Sequence, residues 1–271
     1  MPEDTKQTPD GPVLELKDVS IHFEQNKVLD GVSFVLQPGE TRVLLGPAGG
    51  GKSVLLKLIN GLMKPDSGSI KVFGEEVTTM TEKQLFEMRR RVGMVFQESA
   101  LFDSMNVEDN VAYRLNEEHV PQEESHNRVE EALAFVEMSH AITKFPSELS
   151  GGMRRRVSIA RAIITKPDLI LYDSPTGGLD PITSTTIVEL VVKQRDVSHT
   201  TALMITHRLQ DAFVLATHHY DADKDEMQLI PDGGIDENTK FLVLNEGKVV
   251  FDGTTLELTH SEDPWIKSYL A

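Results

Sequence analysis

The residues most able to do chemistry form one short run, Gly46-Pro47-Ala48-Gly49-Gly50-Gly51-Lys52-Ser53, which fits the spacing G-x-x-x-x-G-K-S. Glycines let backbone N–H groups converge on a polyphosphate without obstruction, a lysine brings a cation to its outer phosphates, and a serine hydroxyl is a hard oxygen ligand for Mg2+. The flanks give the pattern its meaning. Thr41–Leu45 reads as a buried strand, while Val54, Leu55, Leu58, Ile59 and Leu62 recur at helical spacing. A loop between strand and helix sets a bound anion at the positive end of the helix dipole. A glycine-rich turn that merely precedes Lys-Ser is the competing reading, and the strand–helix context disfavours it. A second apolar run, Leu169-Ile170-Leu171-Tyr172, closes on Asp173. A carboxylate ending a buried strand beside such a loop is where a Mg2+-associated aspartate belongs.

These groups need a framework, and the rest of the chain carries its pattern. Residues 13–16, 28–36, 92–96 and 200–206 read as strands. Helical spacing covers 52–62, 82–90, 107–115, 121–140, 153–165 and 181–195, with Pro146 and Pro167 as punctuation. Such alternation predicts a parallel sheet buried between helices. The 271 residues carry 27 Lys+Arg against 43 Asp+Glu, a net charge of −16. That is the wrong sign for holding a nucleic-acid backbone by bulk charge, so nucleic acid is not an expected partner. The acidity is uneven, with seven acids against one base in residues 116–137 and thirteen against five in residues 208–271. The segments carrying the phosphate loop are nearly neutral. With zero Cys, disulfides, thiolate zinc sites and cysteine nucleophiles are excluded. No apolar stretch approaches the roughly 18 residues of a membrane span, so a tie to a membrane is expected to run through a partner. Residues 1–12 read as a disordered polar tail without the marks of a secretory signal.

Further short motifs stand in a fixed order around these two. Gln97 follows the strand 92–96, Leu149-Ser150-Gly151-Gly152-Met153 opens a helix, Gly178-Leu179-Asp180-Pro181 makes a turn after Asp173, and His207 follows the strand 200–206. With this ordered set the chain resembles an ATP-binding-cassette ATPase over about residues 13–255. The resemblance implies an α/β P-loop NTPase fold: a parallel-sheet RecA-like core, an antiparallel β subdomain and an α-helical signature subdomain at about 98–165. A C-terminal helical extension, 256–271, follows. The resemblance implies ATP as substrate, with Gly46, Pro47, Ala48, Gly49, Gly50, Gly51, Lys52, Ser53 and Val54 around it and Phe23 stacked on adenine. Mg2+ is implied on Ser53, Gln97 and Asp173, with Gln97 also sensing the attacking water. Ser150, Gly151 and Gly152 would cap the γ-phosphate of ATP held by a second copy, Asp180 would contact that copy, and His207 would be the switch histidine. One cassette per chain supplies half of two sites, which implies a homodimer. Physical chemistry agrees, since Ser150 is a good N-cap and two glycines leave the helix N-terminus bare for a phosphate. Taken alone, Ser-Gly-Gly is an ordinary helix start.

The stretch Gln97-Glu98-Ser99-Ala100-Leu101-Phe102-Asp103-Ser104-Met105-Asn106-Val107, with Asp109-Asn110-Val111-Ala112-Tyr113, is similar to ATPase subunits of Mce-linked lipid transporters, the maintenance-of-lipid-asymmetry type. Pro146-Ser147-Glu148-Leu149 and Asp180-Pro181-Ile182-Thr183 point the same way. This narrower resemblance implies phospholipid as cargo and an integral membrane permease docked near Leu101, Phe102 and Met105. It also implies indirect engagement of an Mce-type lipid-binding protein and a peripheral place on the cytoplasmic face of the inner membrane. Simple core packing is the alternative for the three apolar residues.

The chain departs from the family at the residue after Asp173, where Ser174 replaces the glutamate that polarises water. Losing a positioned general base costs on the order of 10²–10⁴ in rate. Catalysis would then rest on Gln97, His207 and Ser174, with Glu98 the nearby carboxylate that substitutes. Arg208 stands where an acid is common. An acidic insertion, about residues 217–239, begins like a Ca2+ loop at Asp221 but has Glu226 and Asp232 where such loops need Gly and Glu, so it reads as a solvated loop. His218-His219 within it is not expected to hold metal. The triplets Arg89-Arg90-Arg91 and Arg154-Arg155-Arg156 read as solvated faces and ion pairs. Three functions stay open: a lipid-transport ATPase, an ATP-dependent structural switch with negligible hydrolysis, and a non-transport cassette protein. The last class generally carries a coiled-coil insertion or tandem cassettes, neither of which is present.

Overall fold

The computed structural model describes residues 11–24 and 26–271, so the expected tail lies, but for its last two residues, outside them. The chain opens with an antiparallel pair, β1 (Leu14–Phe23) and β2 (Asn26–Leu36), followed by β3 (Thr41–Leu45) and α1 (Lys52–Ile59). β4 (Ser67–Val72) and β5 (Glu75–Glu76) return to that pair, giving a four-stranded sheet in the order β2-β1-β4-β5. Next come α2 (Glu82–Arg90), β6 (Val92–Val95) and three helices, α3 (Val107–Glu117), α4 (Gln122–Phe135) and α5 (Gly151–Ile163). β7 (Leu169–Asp173), α6 (Pro181–Ser198), β8 (Thr201–Ile205) and α7 (Leu209–Thr217) complete the alternation. A hairpin of β9 (His218–Asp221) and β10 (Glu226–Leu229) precedes β11 (Thr239–Asn245) and β12 (Lys248–Thr254). Two short helices follow, α8 (Thr255–Thr259) and α9 (Pro264–Leu270).

Six strands form the central sheet in the order β12-β11-β3-β8-β7-β6, parallel from β11 to β6, with β12 antiparallel at one edge. Side chains alternate across a strand, and both faces of this sheet are covered. Leu44, Leu169, Leu171, Leu203 and Ile205 face α1 and the antiparallel sheet, whereas Val43, Leu45, Ile170, Tyr172, Ala202 and Met204 face the helices α3, α4, α5 and α6. Double coverage is why these strands read as unbroken apolar runs. Each fully buried Leu, Ile or Val contributes roughly 1.5–3 kcal/mol, enough to fix where the strand ends lie.

Several boundaries differ from the periodicity. The helix expected over 52–62 stops at Ile59 because Asn60 caps it and Gly61 adopts φ +64°, with Leu85 Cδ2 only 2.4 Å from where a Cβ would stand. The helix expected over 121–140 ends at Phe135, after which Glu137 takes φ +59° and the Met138 N–H closes on the Leu133 carbonyl at 2.7 Å. The acidic insertion keeps the expected solvated stretch as an exposed turn at 222–225 but sets it at the tip of the β9–β10 hairpin, which packs on α6. Tyr220 is buried there, Met227 joins the core beside it, and Lys193 lies over the rings of Phe135 and Tyr220 while pairing with Asp225 at 3.0 Å. Asp196 also accepts the Tyr220 N–H at 2.7 Å. The acids were visible in the sequence, but their partners stand some 30 residues away on α6.

Candidate functional site

Strand register assembles the site. β8 lies between β3 and β7, and Ile205 is aligned with Leu44 on one side and Asp173 on the other. The residues that follow, Gly46, His207 and Ser174, therefore leave the sheet at one edge, the carboxyl ends of parallel strands where α/β folds open a crevice. Gln97 joins from β6, whose Val95 pairs with Tyr172.

The loop between β3 and α1 is specified by space as much as by flexibility. A Cβ on Gly46 would stand 2.2 Å from the Leu244 carbonyl oxygen, and one on Gly51, at φ +86°, 2.7 Å from that of Val28. Lys52 is buried and donates to the carbonyls of Gly46 at 2.8 Å and Pro47 at 2.7 Å. Burial pushes its ammonium pKa down, with Asp173 opposing. The Ser53 hydroxyl donates to Asp173 Oδ1 at 3.2 Å. Burial and the Lys52 charge push the His207 imidazole below its ordinary value, against the Gly46 backbone and Asp173. It is therefore neutral near pH 7.

A hydroxyl and a single carboxylate are hard oxygen donors of the kind Mg2+ uses when phosphates supply its remaining ligands. Among the described residues no group of three or more His, Cys, Asp or Glu clusters to hold a metal by itself. The donor set thus fits an ion that arrives with a polyphosphate. Phe23 ends β1 with its ring 42% exposed, and the neighbouring β2 touches the loop through Val28 at Gly51.

Ser150, Gly151, Gly152 and Asp180 form a separate group. Ser150 Oγ caps α5 by accepting the Met153 N–H at 3.2 Å, and Asp180 caps α6 by accepting from Thr183 N at 3.0 Å and Thr183 Oγ1 at 2.6 Å. The two caps pack together, for a Cβ on Gly152 would meet Thr183 Cγ2 at 2.4 Å. Among the described residues no hydrogen bond or ion pair joins Ser150, Gly151 or Gly152 to residues 46–53. One chain brings the phosphate loop, Asp173 and His207 together and leaves the Ser150–Asp180 group apart.

Arg155 links the two groups, and it corrects the expectation of a solvated triplet. It is 4% exposed on α5, donates to the Phe96 carbonyl at 2.5 Å and the Gly177 carbonyl at 3.3 Å, and has its guanidinium pKa lowered by burial, with Glu98 and Asp173 opposing. Arg154 and Arg156 behave as the sequence suggests, one bonded to the Leu149 carbonyl, the other paired with Glu137 at 2.9 Å. In the other triplet, Arg90 and Arg91 pair with Glu118 and Asp168, while Arg89 donates to the carbonyls of Asn60 and Gly61. Ser174 is 3% exposed at φ +49°, its N–H donating to the Ile205 carbonyl at 3.1 Å.

Sequence reasoning also passed over a buried carboxyl. Asp211 on α7 accepts the Thr176 hydroxyl and faces Arg208 at 3.5 Å, and Arg208 reaches Ser184 Oγ at 2.8 Å. Burial pushes the Asp211 carboxyl up. The segment after His207 is thereby tied to the loop after Asp173. An acid four residues beyond a candidate histidine was the only available signal.

The apolar trio divides by exposure. Leu101 is half-buried against the helical core, whereas Phe102 is exposed and lies 4.7 Å from the Tyr113 ring. Met105 is half-buried, like Leu101. The turn is held by Asn110, fully buried, whose amide donates to the carbonyls of Phe102, Met105 and Asn106 at 2.9–3.0 Å and accepts the Phe102 N–H at 2.7 Å.

Comparison with known proteins places this geometry in context. Residues 29–177 match the ABC transporter family. The intermembrane phospholipid transport system ATP-binding protein MlaF of Escherichia coli K12 is 34% identical over 259 residues, covering 95% of this chain and 88% of MlaF. A "Probable ribonucleotide transport ATP-binding protein mkl" of Mycobacterium tuberculosis H37Rv is 39% identical over 210 residues, covering 77% of this chain but 58% of its own length. Among solved structures, a dimeric ATP-binding cassette in a post-hydrolysis state bound to ADP and Pi superposes with TM-score 0.75 at 26% identity, covering 89% of this chain and 98% of that one.

Proposed function

From the premise that the chain belongs to the ABC transporter family and is one of its ATPases, we propose that it binds Mg-ATP, closes as a homodimer and powers phospholipid movement through a membrane permease. The observation that carries the nucleotide half is the convergence of Lys52, Ser53, Asp173 and His207 at one edge of the central sheet. The cargo rests on likeness to MlaF over 95% of the chain. Among the described residues no helix is long and apolar enough to cross a membrane. We therefore place the chain peripherally, on the cytoplasmic face of the inner membrane, with the exposed pair Phe102 and Tyr113 offered to the permease and an Mce-type protein engaged through it.

In this reading Lys52 leaves the Gly46 and Pro47 carbonyls to meet the outer phosphates, and the loop amides cradle the chain behind them. Ser53, Asp173 and Gln97 would hold Mg2+, which when bound neutralises charge on the phosphates. Phe23 lies against adenine. Neutral His207 can donate its one N–H to the γ-phosphate or accept a hydrogen bond from the attacking water at its bare nitrogen. Ser150, Gly151, Gly152 and Asp180 serve the partner's nucleotide, which is why their distance from the chain's own loop favours a dimer.

Ser174 supports a second reading, in which ATP binding closes the dimer and hydrolysis is too slow to matter. A buried hydroxyl orients water but is a poor base at neutral pH, and Glu98 is the carboxylate that Arg155 faces. Purification of the native complex, followed by identification of its bound lipid and single-turnover ATP hydrolysis, tests both readings. A complex with phospholipid and turnover matched to lipid transfer supports transport. Recovery of nucleotide cargo points instead to an mkl-like substrate, and lipid transfer without hydrolysis supports the switch.

A further inference from the structure

The C-terminal helix returns to the phosphate loop. Asp263 caps α9 by accepting the N–H groups of Trp265 at 2.8 Å and Ile266 at 3.0 Å, Ile266 is sunk in the core, and the Trp265 ring stacks on Tyr269 with centroids 5.2 Å apart. This anchoring aims the Tyr269 hydroxyl at the loop, where it accepts the Gly46 N–H at 3.0 Å across 223 residues of sequence. Position 46 admits only glycine without strain, because a Cβ there would strike the Leu244 carbonyl and φ is +141°. Its carbonyl meanwhile receives Lys52, and His207 is held beside its backbone. One residue, through the two peptides that flank its Cα, thus gathers the loop lysine, the histidine after β8 and a tyrosine from the far end of the chain.

We propose that Tyr269 is a positioning residue for the nucleotide site, its hydroxyl fixing the first peptide of the phosphate loop so that the amides that follow stay aimed when Lys52 exchanges the Gly46 carbonyl for phosphate. The proposal rests on the nucleotide-binding reading of residues 46–53. The fixing group sits outside the loop and outside every motif of the site, on a helix with its own cap and its own apolar anchor. Nothing else in α9 reaches the loop by a hydrogen bond, so the hydroxyl can be removed without removing the helix.

The test compares the full-length chain with Tyr269→Phe, which deletes the hydroxyl and keeps the ring stack, and with Ile266→Ala, which loosens the anchor and keeps the hydroxyl. Binding of Mg-ADP and of Mg-ATPγS is measured calorimetrically beside thermal unfolding and amide exchange at Gly46. One lost hydrogen bond predicts a rise of about five- to tenfold in both dissociation constants for Tyr269→Phe, with faster exchange at Gly46 and an unfolding midpoint lowered only by the small amount that one hydrogen bond contributes. Ile266→Ala is expected to lower the midpoint and weaken nucleotide in the same sense. Wild-type affinity in Tyr269→Phe, or weakening only in step with lost stability, overturns the positioning role. Failure of the unaltered chain to bind either nucleotide sinks the underlying site reading instead, so the two failures are distinguishable.

Discussion

The guanidinium of Arg155 lies 2.5 Å from the carbonyl oxygen of Phe96, the residue immediately before Gln97. A second branch of the same side chain reaches Gly177, against which Gln97 packs. A helix whose N-terminus we assign to the partner's nucleotide is therefore bonded directly to the segment assigned to the chain's own Mg2+.

Replacing Arg155 with Ala should take its donor from the part-buried Gly177 carbonyl, leave the Phe96 carbonyl with the Ser99 N–H alone, and cost about 1–3 kcal/mol of stability, read as a shift in the denaturation midpoint. Lysine should not restore it, because Arg155 reaches the two carbonyls from two separate nitrogens of a rigid planar fork, a spacing that a single ammonium nitrogen does not reproduce. Full rescue by Arg155→Lys would show that charge alone is needed there.

Ser174→Glu should raise ATP turnover of the assembled complex by about a hundredfold or more, the low end of what a positioned base supplies. Ser174 already occupies the left-handed region, so glutamate inherits a backbone cost the fold has met. Unchanged single-turnover rates would mean that this position does not limit chemistry.

The depressed pKa of His207 sets a pH profile. Its imidazole takes up a proton at lower pH than an ordinary histidine, so the loss of turnover on acidification should set in at lower pH than the titration of an unperturbed imidazole. Because Lys52 is one cause of the depression, Lys52→Ala should move the His207 titration upward by NMR. A downward or absent shift would contradict the proximity of the two groups.

Asn110→Ala should cost about 1–3 kcal/mol and loosen the turn it holds, while Phe102→Ala should leave folding and nucleotide binding intact. If Phe102 meets the permease, only co-purification with that partner should suffer. Retention of a stable complex by Phe102→Ala would move the docking surface elsewhere.

What could be read in the sequence was what lies close along the chain. The phosphate loop is legible because strand, glycines, lysine and helix are contiguous, and β3, β7 and β8 are legible because burial on both faces leaves uninterrupted apolar runs. Arg155 was not, since a buried arginine and a solvated one look alike until the carbonyls of Phe96 and Gly177 arrive from elsewhere. The β9–β10 hairpin is hidden for the same reason: Asp225 finds Lys193, and the Tyr220 N–H finds Asp196, only after α6 has docked. Tyr269 stands 223 residues from the glycine it meets, beyond the reach of any local pattern.

The two bonds that Lys52 makes to Gly46 and Pro47 turn the protein's own backbone into a competitor for its substrate. On the site proposed above, nucleotide recognition at this loop would be an exchange, with two sets of acceptors competing for one ammonium. A ligand recruits the lysine only if its phosphates outbid both carbonyls together. Adenosine or a monophosphate, lacking charge at that depth, would leave the internal pairing in place and gain nothing from the most conspicuous cation in the motif. Discrimination by phosphate number is thereby built into the resting contacts of the loop, with no residue dedicated to it.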